Sequence, residues 1–192
     1  MALPLGDRDR FAVEVGDEAD QPLRRVDLWA AGHWLTRDDN MAFVEQFRRA
    51  VADTAGWVRS GQAEPLPFPG VSPAAAHRRL LDGIRDLDDD YPQFRPFDRW
   101  GPTTDNVLGF LFRDGDSLVL TFEFWREEHL RKHPEHAGTV LVAVLSVDEF
   151  AGILDQLVAV LGQGRNAEPP GAEWPRSGVG EVGGDGAGFA VQ

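Results

Sequence analysis

The sequence of 192 residues contains no cysteine. Disulfides, zinc–thiolate sites, iron–sulfur clusters and cysteine nucleophiles are therefore excluded. Long apolar runs are also missing, because the longest, at 140–145, has the length of a strand, whereas a membrane span needs roughly 18 residues. The first 15 residues lack a basic region followed by an apolar stretch of signal-peptide length. These absences predict a cytoplasmic protein without a membrane partner.

Basic side chains are scarce relative to acidic ones. The chain has 19 Lys and Arg against 32 Asp and Glu, which gives a formal net charge of -13 at pH 7. Only two basic and four acidic side chains follow residue 161, so the excess acid belongs to the part before it. A surface of this charge repels polyphosphates. We therefore expect no nucleic-acid partner and favour a basic protein partner, with solubility as the competing explanation of the acidity.

Apolar and aromatic side chains are plentiful, and their spacing predicts an α+β fold. Hydrophobic residues make up 42% of the chain, with six Trp and twelve Phe. Period-two alternation predicts strands at 11–15, 25–30, 33–36, 107–112, 118–125 and 139–147. Spacings of three and four predict three helices, which start after residue 40, at Ser72-Pro73 and near Ser146, with Asp38 or Asp39 capping the first.

The order of these elements predicts how they are arranged. Hairpins dominate and no βαβ alternation is visible, which favours a mainly antiparallel sheet of about six strands with about three helices packed on one face. We expect a single α+β domain over residues 8–161. Residues 162–192 are rich in Gly and Pro and poor in apolar anchors, so they predict a disordered C-terminal tail.

Two acids and two tryptophans occupy similar places in two predicted strands. Asp27 alternates with Trp29, and Glu123 alternates with Trp125, so each pair shares the second face of its strand. Aromatic side chains interleaved with acids indicate a protein-binding patch, because aromatics dominate hot spots and acids steer basic partners. Two alternatives remain open. The tryptophans pack under a helix, or the acids are buried polar groups that need partners.

A second set of candidates lies in and around two predicted turns. Its members are polar or aromatic: Trp34, Asp38, Asp39, Trp100, Asp105 and Asn106. A pocket between the turn at 38–40 and the loop at 100–106 would suit a small-molecule-binding or hydrolytic domain, which is the alternative function. The competing interpretation is a turn whose polar groups satisfy one another. No nucleophile elbow or phosphate loop is present, so no catalytic residue is assigned.

Three of the five histidines fall within the segment HLRKHPEH, at His129, His133 and His136. The first two are four residues apart, which suits two imidazole ligands on one helix face. Pro134 should end that helix before His136 and so keep the third imidazole away. We therefore expect no metal site and no cofactor.

The segments RVDLWAAGHWLTRDDN at 25–40, WGPTTDN at 100–106 and FEFWREEH at 122–129 resemble small, acidic, uncharacterised actinobacterial α+β proteins. Such proteins are associated with the immunity proteins of polymorphic-toxin systems. The resemblance implies a binding role and carries over no catalytic residue. The leading hypothesis is a non-catalytic interaction module, an immunity protein that neutralises a basic toxin through an acidic, aromatic surface. A structural or regulatory module without a ligand is a third possibility.

Overall fold

The computed structural model describes residues 4–17, 22–86, 91–97 and 99–163. Apart from its first two residues, the predicted tail at 162–192 lies outside this part of the chain. No helix among the described residues is long and apolar enough to cross a membrane.

The N-terminal sheet is antiparallel and centred on one long strand. Its strands are β1 (Leu5–Asp7), β2 (Phe11–Val15), β3 (Leu23–Ala30), β4 (His33–Trp34) and β5 (Met41–Phe43). The order is β1-β2-β3-β4, and β5 pairs with the beginning of β3. The turn between β3 and β4 places Ala31 at φ 48 and Gly32 at φ 76. Positive φ at both positions is what a tight hairpin needs, so the predicted hairpin at Gly32 is confirmed.

The second sheet has three antiparallel strands in the order β6-β7-β8. These strands are β6 (Val107–Asp114), β7 (Ser117–Phe124) and β8 (Leu141–Ser146). The hairpin between β6 and β7 was predicted from its Asp-Gly-Asp turn and is present, with Gly115 at φ 57. Its register pairs Val107 with Phe124 and Asp114 with Ser117.

Among the described residues, four α-helices accompany the sheets: α1 (Val44–Arg59), α2 (Pro73–Arg85), α3 (Glu127–Lys132) and α4 (Val147–Gly162). The hydroxyl of Ser72 accepts the N–H of Ala75, and that of Ser146 accepts the N–H of Glu149. Both caps satisfy helix N–H groups that would otherwise lack a partner. The predicted starts of α2 and α4 are therefore confirmed.

The prediction that Asp38 or Asp39 caps the first helix is wrong. Residues 41–43 form β5 instead, and α1 begins at Val44 without a side-chain cap at Phe43. Asp39 accepts the N–H of Met41 at 3.2 Å, in a local turn. Pairing of β5 with β3 takes up the residues that would have formed the first helical turn.

One apolar core joins the two sheets. It contains Phe11, Val13 and Leu28 from the first sheet, Phe47 and Val51 from α1, Leu118, Leu120 and Phe122 from the second, and Phe150 and Leu154 from α4. The α+β class with antiparallel sheets is confirmed. The strands are divided between two sheets, however, where the sequence predicted one.

The second sheet is covered on both faces, which also differs from the predicted one-sided packing. The face with Leu118, Leu120 and Phe122 meets the common core. On the opposite face, α2 packs Ala76 and Leu80 against Phe110 and Phe112 of β6 in a separate cluster. Polar side chains on that face of β7 are therefore buried beneath α2, and do not lie in solvent.

Helix α4 packs against the beginning of the chain. Phe150 meets the ring of Phe11 edge-on at a centroid distance of 4.9 Å. Arg10 donates to Glu149 at 2.8 Å. Gly6 has φ +89, and a Cβ added there would clash with the backbone carbonyl oxygen of Phe11 and also approach Cδ1 of Ile153 to 2.6 Å, so glycine is required at this close approach. The N-terminal strands thus depend on the last described helix for their covering.

Candidate functional site

Trp125 stands between two concave parts of the surface, immediately after β7. Its side chain is 54% exposed, and it lines both a cavity of about 340 Å³ and a neighbouring one of about 180 Å³. We call Trp125 and these two cavities the Trp125 cleft. An exposed indole beside concave surface is the kind of group that a partner buries at an interface, so this cleft is the candidate site among the described residues.

The larger cavity lies between α2 and the end of β7. Its walls are Arg78, Leu81, Asp82 and Arg85 from α2, Glu123, Phe124 and Trp125, and beyond them Leu130 and Gly138. Three of these α2 residues, Arg78, Asp82 and Arg85, are charged. They lie beside the apolar stripe that contacts the sheet and face the mouth of the cavity, where charged side chains can reach water. The cavity therefore combines both signs of charge with an apolar wall.

Glu123 is the unusual group in this cavity. The residue is only 8% exposed, and the nearest nitrogens of basic side chains among the described residues, Nε2 of His77 and a guanidinium nitrogen of Arg85, are both 3.9 Å from its carboxyl oxygens. That separation exceeds hydrogen-bond distance. Burial raises the pKa of Glu123, and the positive charges of Arg85 and Arg78 oppose the rise. The carboxyl is thus buried at the edge of a cavity without a close donor.

His77 lies directly behind Glu123 and is fully buried. Its Nδ1 is 3.0 Å from the hydroxyl of Thr121, which itself donates to the carbonyl of Phe110 at 3.4 Å. The ring Nδ1–H therefore donates to Thr121, and Nε2, which has no hydrogen-bond partner, is left as an acceptor towards Glu123. Burial, together with a smaller contribution from the positive charge of Arg78, lowers the pKa of His77 to about 4, so the ring is neutral at physiological pH.

The smaller cavity continues the cleft on the other side of Trp125. It is lined by Arg95, Phe97, Thr104, Asp105 and the first residues of β6, including Gly109. Arg126 donates to the carboxylate of Asp105 at 3.2 Å at its edge. Asp105, predicted as a binding residue, therefore lies at the cleft next to Trp125.

The tryptophans Trp29 and Trp34 lie elsewhere, in the first sheet. Their rings stack at 5.6 Å, and the guanidinium of Arg8 covers Trp29 at 4.3 Å from the ring centroid. Asp27 is buried beside them and accepts a hydrogen bond from Asn40 at 2.7 Å. Trp29 lies in β3 of the first sheet, whereas Trp125 directly follows β7 of the second, so the structure does not bring the two predicted acid–aromatic pairs onto one sheet face.

The space expected between the turn at 38–40 and the loop at 100–106 is filled by polar contacts. Asn106 donates to Asp38 at 2.8 Å, and Nδ1 of His129 lies 2.5 Å from the same carboxylate oxygen. Trp100 is buried, and its indole N–H donates to Thr54 at 2.9 Å. Asp38 and Asn106 are therefore joined by a hydrogen bond across the space where the pocket was expected, and Trp100 is a core residue.

The histidines come together despite Pro134. The chain passes from α3 into a short 3-10 helix, Pro134–His136, and Nε2 of His129 lies 2.8 Å from Nδ1 of His136. The rings of His129 and His136 also stack on Phe124. The expectation that Pro134 separates them is wrong, because the 3-10 turn folds back over α3. Among the described residues, no group of three or more potential ligands has the geometry to hold a metal ion.

Sequence reasoning found Glu123, Trp125 and Asp105 but missed the α2 wall of the cleft. His77 precedes Leu80 and Leu81 by three and four residues, so the helical period that predicted α2 also places His77 on its buried side. Arg78 and Arg85 are seven residues apart and share a helix face by the same period. No local signal indicated that this face meets β7.

The fold as a whole resembles one solved structure, a crystal structure of CdiI from Burkholderia dolosa. The alignment covers 82% of this chain and 99% of that chain, with a TM-score of 0.54 and 12% sequence identity. No protein-family description matches the sequence, and neither does any curated protein. At this low identity, the likeness to CdiI shows a common fold.

Proposed function

We propose that this protein is a non-catalytic interaction module that neutralises a toxin, in the manner of an immunity protein, and that it binds through the Trp125 cleft. CdiI, whose fold it shares, is by its name the immunity protein of a contact-dependent inhibition system. That likeness supports the class of partner, a toxin protein. The site itself is inferred from the described surface.

The observation that carries the proposal is the exposure of Trp125 between two cavities. Tryptophan is enriched at interface hot spots, where it fills a pocket and is shielded from water by the residues around it. Here the surrounding ring is already present, since Arg85, Arg95 and Asp105 stand at the margins of the cleft. A partner that inserts side chains beside the indole would bury Trp125 and fill both cavities together.

The charge of the chain supports a basic partner. A net charge of -13 attracts cations over distances longer than any contact in the cleft. Salt screens this attraction beyond roughly 8 Å at physiological ionic strength. The association rate with a basic toxin should therefore fall as salt is raised, while the dissociation rate should depend mainly on the contacts at Trp125.

The experiment compares two equally exposed aromatic residues. Trp125→Ala should weaken binding to the toxic domain encoded beside this chain's gene by about thirtyfold or more, the loss expected of a hot spot. Phe43→Ala is the matched control, because Phe43 is 55% exposed but lies in β5 of the other sheet. Calorimetry gives the affinities, and survival of cells expressing the toxin gives the protection. A loss in Phe43→Ala with none in Trp125→Ala would contradict the proposed site.

A further inference from the structure

We infer that the larger cavity of the Trp125 cleft receives a basic side chain, arginine or lysine, from the protein partner, with Glu123 as its acceptor. The inference rests on the proposed function for the identity of the partner. The chemistry of the cavity stands on the described residues alone, and it is tested without the partner.

The carboxyl of Glu123, the acceptor in the cavity, lacks a close hydrogen-bond donor among the described residues. Glu123 is only 8% exposed, yet no donor in the described part of the chain lies within hydrogen-bond distance of its carboxyl oxygens. A carboxylate that is largely removed from water without such partners loses hydration that is only partly replaced. A guanidinium or ammonium group that enters the cavity would supply charge-assisted hydrogen bonds to it.

The walls of the cavity suit the rest of a basic side chain. The exposed indole of Trp125 offers a face for a cation, an interaction that favours Arg and Lys over neutral groups. Leu81 and Leu130 form an apolar wall that can cover the methylene groups of the side chain. The volume of about 340 Å³ is ample for one long side chain.

Two arginines at the rim compete with the incoming cation. The side chain of Arg85 is 65% exposed and remains 3.9 Å from Glu123, so it can turn outwards with little loss. Arg78 also faces the carboxyl, and the negative charge of Asp82 offsets part of this repulsion. An anionic occupant bound by Arg78 and Arg85 would instead place its charge against the buried Glu123, which disfavours it.

The protonation state of Glu123 makes cation binding depend on pH. Burial raises the pKa of this carboxyl, and only the ionised form attracts a cation. The groups of α2 that face it are His77, Arg78, Asp82 and Arg85. Affinity for a cation should therefore increase as the pH rises through the pKa of Glu123 and become constant above it.

The experiment uses capped single amino acids as probes of the isolated protein. N-acetyl-arginine amide and N-acetyl-lysine amide carry one positive charge, while the glutamine and glutamate analogues are neutral and negative. Binding is followed by the NMR signal of the Trp125 indole N–H in titrations that reach the millimolar range expected of such small ligands. We expect at least one cationic probe to bind more tightly than both of the other probes.

Two variants with opposite expected effects test whether Glu123 is the acceptor for the cation. Glu123→Gln should weaken cation binding by roughly tenfold or more, because the ionic acceptor is lost. Arg85→Ala should strengthen it severalfold, because a competing cation is removed. Glu14→Gln, in β2 of the other sheet, removes the same charge and should leave the affinity unchanged. Thermal melts of Glu123→Gln and Glu14→Gln check that both variants fold. Arg85→Ala should fold normally, because the side chain of Arg85 is already largely in solvent.

Several results would overturn the inference. The first is that the glutamate probe binds more tightly than the cationic probes and that Arg85→Ala abolishes this binding. The second is that the glutamine and arginine probes bind equally well. The third is that the NMR signal of Trp125 responds to none of the probes. A cationic probe that binds here while Trp125→Ala leaves toxin binding intact would support the inference about the larger cavity and refute the proposal that the toxin binds through the Trp125 cleft. The two failures are therefore distinguishable.

Discussion

The buried imidazole of His77 should make the stability of this protein depend steeply on pH. In the folded protein its pKa is lowered to about 4, from an ordinary value of 6.5. The unfolded chain therefore takes up the proton first as the pH falls, and the free energy of unfolding decreases between these two values. The contribution is fully present above pH 6.5 and is lost as the pH approaches about 4.

The size of this effect follows from the pKa difference. One pKa unit corresponds to about 1.4 kcal/mol, so the shift of His77 from 6.5 to about 4 amounts to about 3 kcal/mol. Glu123 acts in the opposite sense, because its raised pKa lets the folded state bind a proton before the unfolded state does. The two groups are 3.9 Å apart, so their contributions must be separated experimentally.

Urea unfolding from about pH 7 to about pH 4.5 isolates the contribution of His77 when Glu123 is removed from both proteins. The comparison is between Glu123→Gln and the double variant Glu123→Gln/His77→Asn, since asparagine keeps a polar group near Thr121 but does not titrate. The single variant should lose about 2 kcal/mol more than the double variant over this range. Parallel curves for the two proteins would refute the assignment of a buried, neutral His77.

Three further predictions concern the rest of the chain. Trp100→Phe should lower the free energy of unfolding by about 1–3 kcal/mol through the lost hydrogen bond to Thr54, and the double variant with Thr54→Ala should cost less than the sum of the two in urea titrations. Asp38→Asn should lower the free energy of unfolding by about 2 kcal/mol, because Asp38 contacts both Asn106 and His129. Asp39→Asn, at the neighbouring exposed residue, should change it by less than about 0.5 kcal/mol. Equal losses would contradict a stabilising role for the contacts of Asp38. A chain that ends at Gln163 should melt within a few degrees of the full chain, since the sequence that follows is rich in Gly and Pro and has few apolar side chains to offset an ordering cost of roughly 1–2 kcal/mol per residue. A larger fall in calorimetry would show that the removed segment stabilises the rest of the chain.

Local patterns in the sequence predicted the elements well where neighbours along the chain determine them. The β6–β7 hairpin was predicted from its Asp-Gly-Asp turn, and the start of α2 from Ser72-Pro73. Strand β5 was missed, since Phe43 fits the helical spacing of α1 and only pairing with Leu23 makes it part of a strand. That partner lies twenty residues earlier, which periodicity over a short window does not capture.

The candidate site was predictable only in part, for a related reason. Alternation along β7 placed Glu123 and Trp125 on one face, but the burial of that face depends on α2, which the sequence did not position. The contact of Asn106 with Asp38 spans 68 residues, and that of His129 with Asp38 spans 91. Such contacts are set by how the two sheets meet, which neither propensity nor alternation specifies.

The docking of α4 on the first strands has a consequence for how the chain is made. Phe11 leaves the ribosome long before its partner Phe150 has been synthesised. At 5–20 residues per second, the gap of about 140 residues corresponds to roughly 7–28 s of translation. During that time β1 and β2 exist without the helix that covers them, exposing apolar side chains and strand edges in a growing chain. Chaperones that recognise nascent apolar segments should therefore bind this protein at its N-terminal strands, and release them once residues 147–162 emerge.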